Sequence, residues 1–375
     1  MLMSAVNAPN FFLDHNAGSI VDPRVLERFL EVEHRCPGNP SSLHAGGRRA
    51  RNEVETARQQ IATALFVALE DVLFTSGGTE SNNLAVRGLG ALHLPVLLGE
   101  VEHASVREPA EQRGIVTWQL DSNARIAISE PVTPVGLACL VHGQSEVGTI
   151  QDVAAAAQLC AKLGIPLHVD AAQSLGRISV RAACAAATSI AFSPHKAGGL
   201  RGTGLLVVRH ATERLLPLLR GGGQERGLRS GTVSPAHAAA TALAIELAIL
   251  EQPMRAEKMA GARSAFEQTL RSLNPLWVAL TPPTSLPNTF LLQVLNVDGR
   301  SLLPALDLAG IAISQGSACS SGSPLPPRVL LAMGLSADQA RCCIRVSFGP
   351  NDDSNFGARA AELFSQVIAR VQKKN

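Results

Sequence analysis

The sequence predicts an α/β fold in which a mostly parallel central sheet is covered by helices. From about residue 50 onward, short apolar runs alternate with stretches of helical spacing, as parallel strands and crossover helices do. Hydrophobic residues make up 46% of the 375 residues and charged residues 17%, so the chain can bury a large core. This composition excludes an intrinsically disordered chain.

The elements follow one another regularly through the first half of the chain. Helical spacing is present over residues 48–65, 79–92 and 152–164. Short apolar strands are predicted over residues 72–76, 95–100, 114–120, 137–142, 166–170, 189–193 and 204–209. Because ligands of such sheets bind beyond the carboxyl ends of the strands, the residues directly after each strand are the candidates for a functional site.

The pattern changes near residue 250, where we expect a domain boundary. Residues 239–273 predict one or two long helices with a break at Pro253. A strand over 288–296, a helix, a strand over 341–349 and a C-terminal helix over 361–374 come after a proline-rich link. We therefore expect two domains, with the bounds 13–250 for a large domain and 251–375 with 1–12 for a smaller α+β domain.

Charge and hydropathy exclude several classes of protein. The 33 Lys and Arg residues against 31 Asp and Glu residues leave a formal charge of +2, too balanced for direct nucleic-acid binding. No apolar run approaches the ~20 residues that a membrane-spanning helix needs. The N-terminal residues lack the features of a signal peptide, and the seven scattered cysteines include no C-x-x-C pair. We expect a cytoplasmic protein with reduced thiols and no structural zinc.

Three segments at strand ends carry candidate chemistry. Residues 74–83 (FTSGGTESNN) join a strand to a helix through two glycines, which is typical of an anion site and equally of an ordinary turn. Asp170 ends a predicted strand and is either a helix cap or a site carboxylate. Lys196 follows another strand, and the alternative is a solvated charge.

Together these three features predict a pyridoxal phosphate site. The glycine turn would hold the phosphate, Asp170 would keep the pyridine nitrogen protonated, and Lys196 would form the Schiff base. A nicotinamide site would need G-x-G-x-x-G after an early strand, and that motif is absent there.

The motifs then resemble those of the cysteine desulfurases, fold-type-I pyridoxal phosphate enzymes of the class V aminotransferase superfamily. The similarity runs from residue 12 to residue 349 and includes several motifs in matching order. They are FLDHNAG (12–18), GNPSSLHAGGRRA (38–50), FTSGGTESNN (74–83), VEHASV (101–106), HVDAAQSLG (168–176), SPHK (193–196), GGGQERGLRSGT (221–232), SQGSACSSGSP (314–324) and RCCIRVSFG (341–349).

The resemblance implies a role for each matching residue. Those that would hold the cofactor phosphate are Gly78, Thr79, Ser193 and His195, with Thr232 reaching the phosphate of the neighbouring subunit in a homodimer. Those that would contact the cofactor ring are His103, stacked on it and a candidate to move protons, Asp170 at its nitrogen and Gln173 near its oxygen. Lys196 would carry the cofactor, and Arg345 would bind the substrate carboxylate.

Cys319 is implied to be the nucleophile. It lies in a segment of Gly, Ser and Ala, which predicts a mobile loop that could bring the thiol to an electropositive site. The G-S-A-C-S-S form is similar to the family group with the longer cysteine loop. The patterns around Cys139, Cys160, Cys342 and Cys343 indicate packing instead.

Some positions depart from the family pattern. Ser145 stands where an asparagine usually contacts the cofactor's ring oxygen, and Pro194 stands where Gly or Ala is common. Ala17-Gly18-Ser19 replaces the usual Ala-Thr-Thr. None of these departures removes a catalytic group, but they indicate a divergent branch.

The function predicted is conversion of L-cysteine to L-alanine, with the sulfur held on Cys319 as a persulfide for a protein acceptor such as an iron–sulfur scaffold or a thiolation enzyme. The alternatives are a selenocysteine lyase or related pyridoxal phosphate lyase, and a catalytically weak scaffold protein that binds the cofactor. A Cys/His metal-binding protein is excluded by the cysteine spacing.

Overall fold

The structure is a computed structural model that describes residues 10–274, 276–315 and 326–372. Its strands are β1 (Phe11–Phe12), β2 (Val72–Thr75), β3 (Val96–Gly99), β4 (Ile115–Trp118), β5 (Leu137–Val141), β6 (Leu167–Asp170), β7 (Ser189–Phe192), β8 (Gly204–Val208), β9 (Trp277–Ala279), β10 (Thr289–Val294), β11 (Ile311–Ala312) and β12 (Cys343–Ser347). Its α-helices are α1 (Pro23–Arg35), α2 (Ala45–Leu65), α3 (Gly78–Gly88), α4 (Ala104–Glu111), α5 (Val153–Leu163), α6 (Arg181–Ala186), α7 (Ala211–Arg214), α8 (Pro235–Leu250), α9 (Gln252–Leu273), α10 (Gly299–Leu308), α11 (Arg328–Ala332), α12 (Ala337–Arg341) and α13 (Ser354–Gln372).

A seven-stranded sheet forms the centre of the larger part, in the order β2-β8-β7-β6-β5-β3-β4. Strands β4, β3, β5, β6 and β7 are parallel, and β8 is antiparallel to both of its neighbours. The mostly parallel sheet predicted from the sequence is therefore confirmed, with one reversal. The connection 193–203 before β8 contains only a 3₁₀ turn over Pro194–Lys196, which is too short for the crossover that a parallel strand needs.

The strands of this sheet are apolar because both of its faces are covered. Every residue of β2, β3, β5, β6, β7 and β8 is buried. Strand β4 stands at the edge of the sheet, and only Trp118 of it is buried. Continuous apolar strands of this kind are typical of a sheet that lies between two layers of helices.

The helical region over residues 239–273 consists of two helices, as the sequence predicts from Pro253. Helix α8 ends at Leu250, and α9 begins at Gln252 with Pro253 in its first turn. Proline is tolerated there because the first backbone N–H groups of a helix have no partner within the helix. The predicted break at Pro253 is confirmed.

A second core lies under an antiparallel sheet of three strands, in the order β12-β10-β9. Phe266 of α9 packs edge-on against three other rings, with centroids 6.2 Å from Phe290, 5.8 Å from Phe348 and 5.5 Å from Phe364. This separate aromatic core is what a second domain would need. The bounds 13–250 and 251–375 stay a prediction.

The N-terminal segment, residues 10–19, connects the two sheets. Strand β1 pairs with β11, and the backbone N–H of Asn16 donates to Ser347 Oγ at 3.0 Å. The Asn16 side chain donates to Thr289 Oγ1 and to the Ser145 carbonyl, at 2.9 Å each. Among the helices of the described residues, none has the length and hydropathy to cross a bilayer.

Candidate active site

A cavity of about 380 Å³ lies at the carboxyl ends of the parallel strands, where the sheet topology places ligands. It brings together most of the residues that the sequence singles out. The predicted site residues lining it are Gly78, Thr79, His103, Asp170, Gln173, Ser193, His195, Lys196 and Arg345. These nine residues surround one volume.

One predicted residue, Thr232, is not among the residues that line this cavity. Thr232 lines a second cavity of about 350 Å³, with Arg51, Gln224 and Glu225 among its neighbours. Its predicted contact with a neighbouring subunit stays a prediction. Cys319 lies outside the described residues.

The glycine turn before α3 forms a cradle for an anion. Helix α3 begins at Gly78 directly after β2, so the partial positive charge of its N-terminus faces the strand ends. A Cβ at Gly78 would lie 2.1 Å from Ser193 Oγ, so only glycine permits the approach of the Ser193 hydroxyl. A Cβ at Gly204 would lie 2.4 Å from the Gly77 carbonyl carbon, which packs β8 closely against the same turn.

His195 and Lys196 lie in the 3₁₀ turn that follows β7. Pro194 occupies the first position of this turn, where a fixed φ is favourable, so its departure from the family pattern costs nothing locally. Burial lowers the pKa of His195 to about 4, with the charges of Lys196, Arg201 and Arg177 adding to the effect. The His195 ring is therefore neutral near pH 7.

Asp170 is buried at the end of β6 and accepts two hydrogen bonds. Its Oδ1 accepts from the Ala172 backbone N–H at 2.9 Å, and its Oδ2 accepts from Asn82 Nδ2 at 2.8 Å. These two bonds fix the carboxylate beside the cavity and leave it lone pairs for a further donor. Gln173 is fixed in turn, because its Nε2 donates to the Asn16 carbonyl at 2.9 Å.

His103 is the N-cap of α4. Its Nδ1 accepts from the Ser105 backbone N–H at 3.1 Å and lies 2.8 Å from Ser105 Oγ. Ser105 in turn accepts from Asn82 Nδ2 at 2.8 Å. The Ser105 and Asn82 side chains both line the cavity, and sequence reasoning assigned neither of them a role.

Arg345 lies on β12, in the three-stranded sheet, and is 1% exposed. Its Nη2 donates to Asp14 Oδ1 at 2.6 Å and its Nη1 donates to the Ser145 carbonyl at 3.3 Å. Its buried Nε has no hydrogen-bond partner among the described residues. Because an unpaired buried donor is costly, this nitrogen is a candidate donor to a ligand carboxylate.

The structure shows what Ser145 does at its unusual position. Its hydroxyl donates to Glu146 Oε2 at 2.7 Å, whereas its carbonyl accepts from Asn16 and Arg345. The Ser145 side chain is therefore hydrogen-bonded to Glu146. It does not take the place of the asparagine that the family pattern has at this position. Asn16, which also lines the cavity, was missed as a site residue although it lies within the FLDHNAG motif.

The residues present fit pyridoxal phosphate. The cavity combines a glycine cradle at a helix N-terminus, a buried carboxylate at Asp170 and a primary amine at Lys196. These are the groups that a phosphate, a protonated pyridine nitrogen and an aldehyde require, respectively.

Comparisons with known proteins agree with this chemistry. The family model described as aminotransferase class-V matches residues 11–355. The chain is 33% identical to the cysteine desulfurase IscS of Stutzerimonas stutzeri (strain A1501), over 96% of this chain and 93% of the relative. The solved structure of a NifS-like protein superposes with a TM-score of 0.85 at 28% identity, covering 96% of this chain and 99% of that one. SspA in complex with cysteine superposes with a TM-score of 0.76 at 27% identity, covering 92% and 100%.

Proposed function

The chain belongs to the aminotransferase class-V family, and from that membership we propose that it is a pyridoxal-phosphate-dependent cysteine desulfurase. It converts L-cysteine to L-alanine and retains the sulfur on an enzyme cysteine for transfer to an acceptor. The observation that carries the proposal is that Lys196, Asp170 and Arg345 line one cavity next to the anion cradle. The relatives named as cysteine desulfurases support the choice of substrate.

Pyridoxal phosphate, when bound, supplies an electron sink that stabilises negative charge at the substrate Cα. The residues that would hold the group are those of the cradle, Gly78, Thr79 and Ser193, together with the Lys196 amine. Asp170 would accept a hydrogen bond from the pyridine N–H, because its two existing hydrogen bonds leave it further lone pairs.

Arg345 orients the substrate. Asp14 holds Nη2 of its guanidinium group at 2.6 Å, so the group is fixed before the substrate arrives. The substrate carboxylate then accepts from the unpaired Nε. Once the substrate amine has taken the place of the Lys196 amine on the cofactor, Lys196 in its neutral form would take the Cα proton at Nζ.

Cys319 completes the reaction as nucleophile. Its thiolate attacks the sulfur of the substrate, so that a sulfur–sulfur bond forms while the Cβ–sulfur bond of the substrate breaks. The electron pair of the broken bond stays with the carbon fragment, which is protonated to alanine. The sulfur remains on Cys319 as a persulfide.

We further propose that the protein is a cytoplasmic homodimer that passes its sulfur to a protein acceptor, such as an iron–sulfur scaffold or a thiolation enzyme. The position of Thr232 supports the dimer. Thr232 lines a cavity separate from that of Lys196 in the same chain, so its predicted phosphate contact requires a second copy.

The test of this function is the Cys319→Ser variant. A hydroxyl of similar size has a negligible ionised fraction near pH 7, so the variant should bind the cofactor and cysteine yet form almost no alanine. Alanine and sulfide release are measured, and the persulfide is sought by mass spectrometry. Cys342→Ser is the matched control, because Cys342 is a half-buried thiol whose Sγ donates to the Val297 carbonyl. Alanine formation by Cys319→Ser at the wild-type rate would refute the persulfide mechanism and favour a direct lyase.

A further inference from the structure

Asn82 lies at the centre of a buried hydrogen-bond network beside the cavity. Its side chain is 1% exposed, and its Nδ2 donates to Asp170 Oδ2 and to Ser105 Oγ, at 2.8 Å each. Its Oδ1 lies 3.0 Å from His168 Nε2. The opposite orientation of the amide would set its carbonyl oxygen against the Asp170 carboxylate, so the network determines which end is the donor.

The direction of each hydrogen bond in this network follows from its neighbours. Burial lowers the pKa of His168 to about 4, so this ring is neutral, donates from Nε2 to Asn82 and accepts at Nδ1 from Ser189 Oγ at 2.8 Å. At the other end, Ser105 Oγ accepts from Asn82. The hydroxyl hydrogen of Ser105 is therefore directed to His103 Nδ1, 2.8 Å away.

His103 Nδ1 consequently accepts two hydrogen bonds. One comes from the Ser105 hydroxyl, and the other comes from the Ser105 backbone N–H at 3.1 Å, because His103 caps α4. A ring nitrogen that accepts hydrogen bonds carries no proton, so the proton of the neutral imidazole lies on Nε2. A second ring proton would have to sit on Nδ1 and oppose the Ser105 N–H.

We infer that Asn82 and Ser105 are positioning residues that hold His103 as a neutral hydrogen-bond donor through Nε2, so that His103 takes no proton from the substrate. The inference rests on the proposed function. Lys196 then takes the Cα proton, while His103 donates a hydrogen bond to a ligand in the cavity. The same Asn82 amide orients the Asp170 carboxylate, so one side chain positions groups on β6 and at the start of α4.

The tautomer is measurable without any turnover. Nitrogen-15 NMR of protein labelled at its 10 histidines, with cofactor and without, distinguishes a protonated ring nitrogen from an unprotonated one. The signals of His103 are assigned by their loss in His103→Gln. We expect a protonated Nε2 and an unprotonated Nδ1 in both forms. A proton on Nδ1, in either form, would overturn the inference.

The positioning role is tested with adjacent asparagines. In Asn82→Ala the Ser105 hydroxyl loses its donor and is no longer directed to the ring, so the His103 Nδ1 signal should shift as one of its two hydrogen bonds weakens, while the Ser105 backbone N–H still donates to it. Asn83→Ala is the control, because the half-buried Asn83 donates to the Thr79 and Ser105 carbonyls and not to the His103 ring. Unchanged His103 signals in Asn82→Ala would show that Asn82 does not position the ring.

Kinetics separate a hydrogen-bond donor from a base. His103→Gln keeps an N–H donor that cannot take a proton, whereas His103→Ala has none. Loss of a general base costs about 10²- to 10⁴-fold in kcat, whereas a single hydrogen bond is worth up to about tenfold. We expect His103→Gln to retain kcat within about tenfold of wild type and above that of His103→Ala. Equal losses of a hundredfold or more in both variants would assign His103 as a base.

Failure of the proposed function gives a different pattern. If wild-type protein forms no alanine from cysteine, the desulfurase proposal fails while the tautomer in the NMR spectrum is unaffected. If wild-type protein forms alanine and Nδ1 carries the proton, the function stands and the inference about His103 fails.

Discussion

Glu102, next to His103, is a buried acid whose neutralisation should stabilise the protein. Its Oε1 accepts from the Val141 backbone N–H at 2.7 Å, and its Oε2 has no partner among the described residues. Burial raises the pKa of Glu102 from 4.5 to about 8, with the hydrogen bond from Val141 opposing and the charge of Asp170 adding to the shift. We predict that Glu102→Gln stabilises the fold and that the gain grows with pH.

The size of the gain follows from the two pKa values. Between pH 4.5 and about 8 the folded protein keeps the Glu102 proton while the unfolded chain loses it, so the free energy of unfolding falls as pH rises. At about 1.4 kcal/mol per pKa unit, this costs about 2 kcal/mol at pH 6 and about 4 kcal/mol at pH 8. Glutamine has the shape of the protonated acid and still accepts from Val141, so it avoids this cost.

Urea unfolding at pH 6 and pH 8, at one protein concentration and one cofactor concentration, measures the effect. The difference between Glu102→Gln and wild type should increase by about 2 kcal/mol between these pH values. Glu100→Gln is the matched control, because the Glu100 side chain is 29% exposed and pairs with Arg107 and Arg328 at the surface. Its effect should stay within about 1 kcal/mol at both pH values.

A difference that stays constant or shrinks between pH 6 and pH 8 would refute this reasoning. Such a result would mean that Glu102 is already ionised in the folded protein at pH 6. Destabilisation by Glu102→Gln at both pH values would mean that the carboxylate has a favourable partner which a glutamine cannot replace.

The remaining predictions concern the cavity. Gly78→Ala places a Cβ 2.1 Å from Ser193 Oγ, so cofactor affinity measured by titration should fall about tenfold or more. The loss of affinity should be smaller when Gly78→Ala is made in a Ser193→Gly background. Equal losses in both backgrounds would contradict the steric explanation. Arg345→Lys keeps a positive charge near Asp14 but loses Nε, so KM for cysteine should rise by about 10- to 100-fold with a smaller change in kcat. An unchanged KM would show that Arg345 does not bind the substrate. Thr232→Ala should weaken cofactor binding several-fold in a protein that elutes as a dimer in size-exclusion chromatography, whereas tight binding by a monomer would exclude the contact between subunits.

The sequence predicts the strands of the large sheet well, because short, continuous apolar runs that alternate with helices are typical of strands buried on both faces of a sheet. It does not predict the reversal at β8, because GLLVV is equally apolar in a parallel or an antiparallel strand. Only the length of the connection before it decides the direction. Helix α1 was missed although its signals are present, since Asp22 caps it and Pro23 occupies its first turn.

In the site, too, the sequence predicts the residues that lie in motifs but not the contacts that depend on tertiary packing. Strand-end position and chemistry predict Asp170 and Lys196, and both line the cavity. The sequence motif assigns Asn82 no role beyond the anion turn, although Asn82 lies one helical turn beyond Gly78 and shares its buried face with Ala85. A polar residue on such a face must find buried partners, and this signal could have identified it. Its partners on β6 and α4 depend on tertiary packing, which no local spacing reveals.

The N-terminal segment has a consequence for synthesis of the chain. Asn16 lines the cavity and Asp14 bonds to Arg345, which also lines it. Arg345 and Ser347, to which Asp14 and Asn16 bond, lie 331 residues further along the chain. A ribosome-bound chain that already contains Asp170 and Lys196 lacks Arg345, which we propose binds the substrate carboxylate, and lacks the strand β12 to which residues 14–16 bond. Because contacts of such sequence separation form late, the substrate site is assembled only after nearly the whole chain has left the ribosome. Chains interrupted before β12 could at most form the anion cradle, without the arginine that we propose binds the substrate carboxylate.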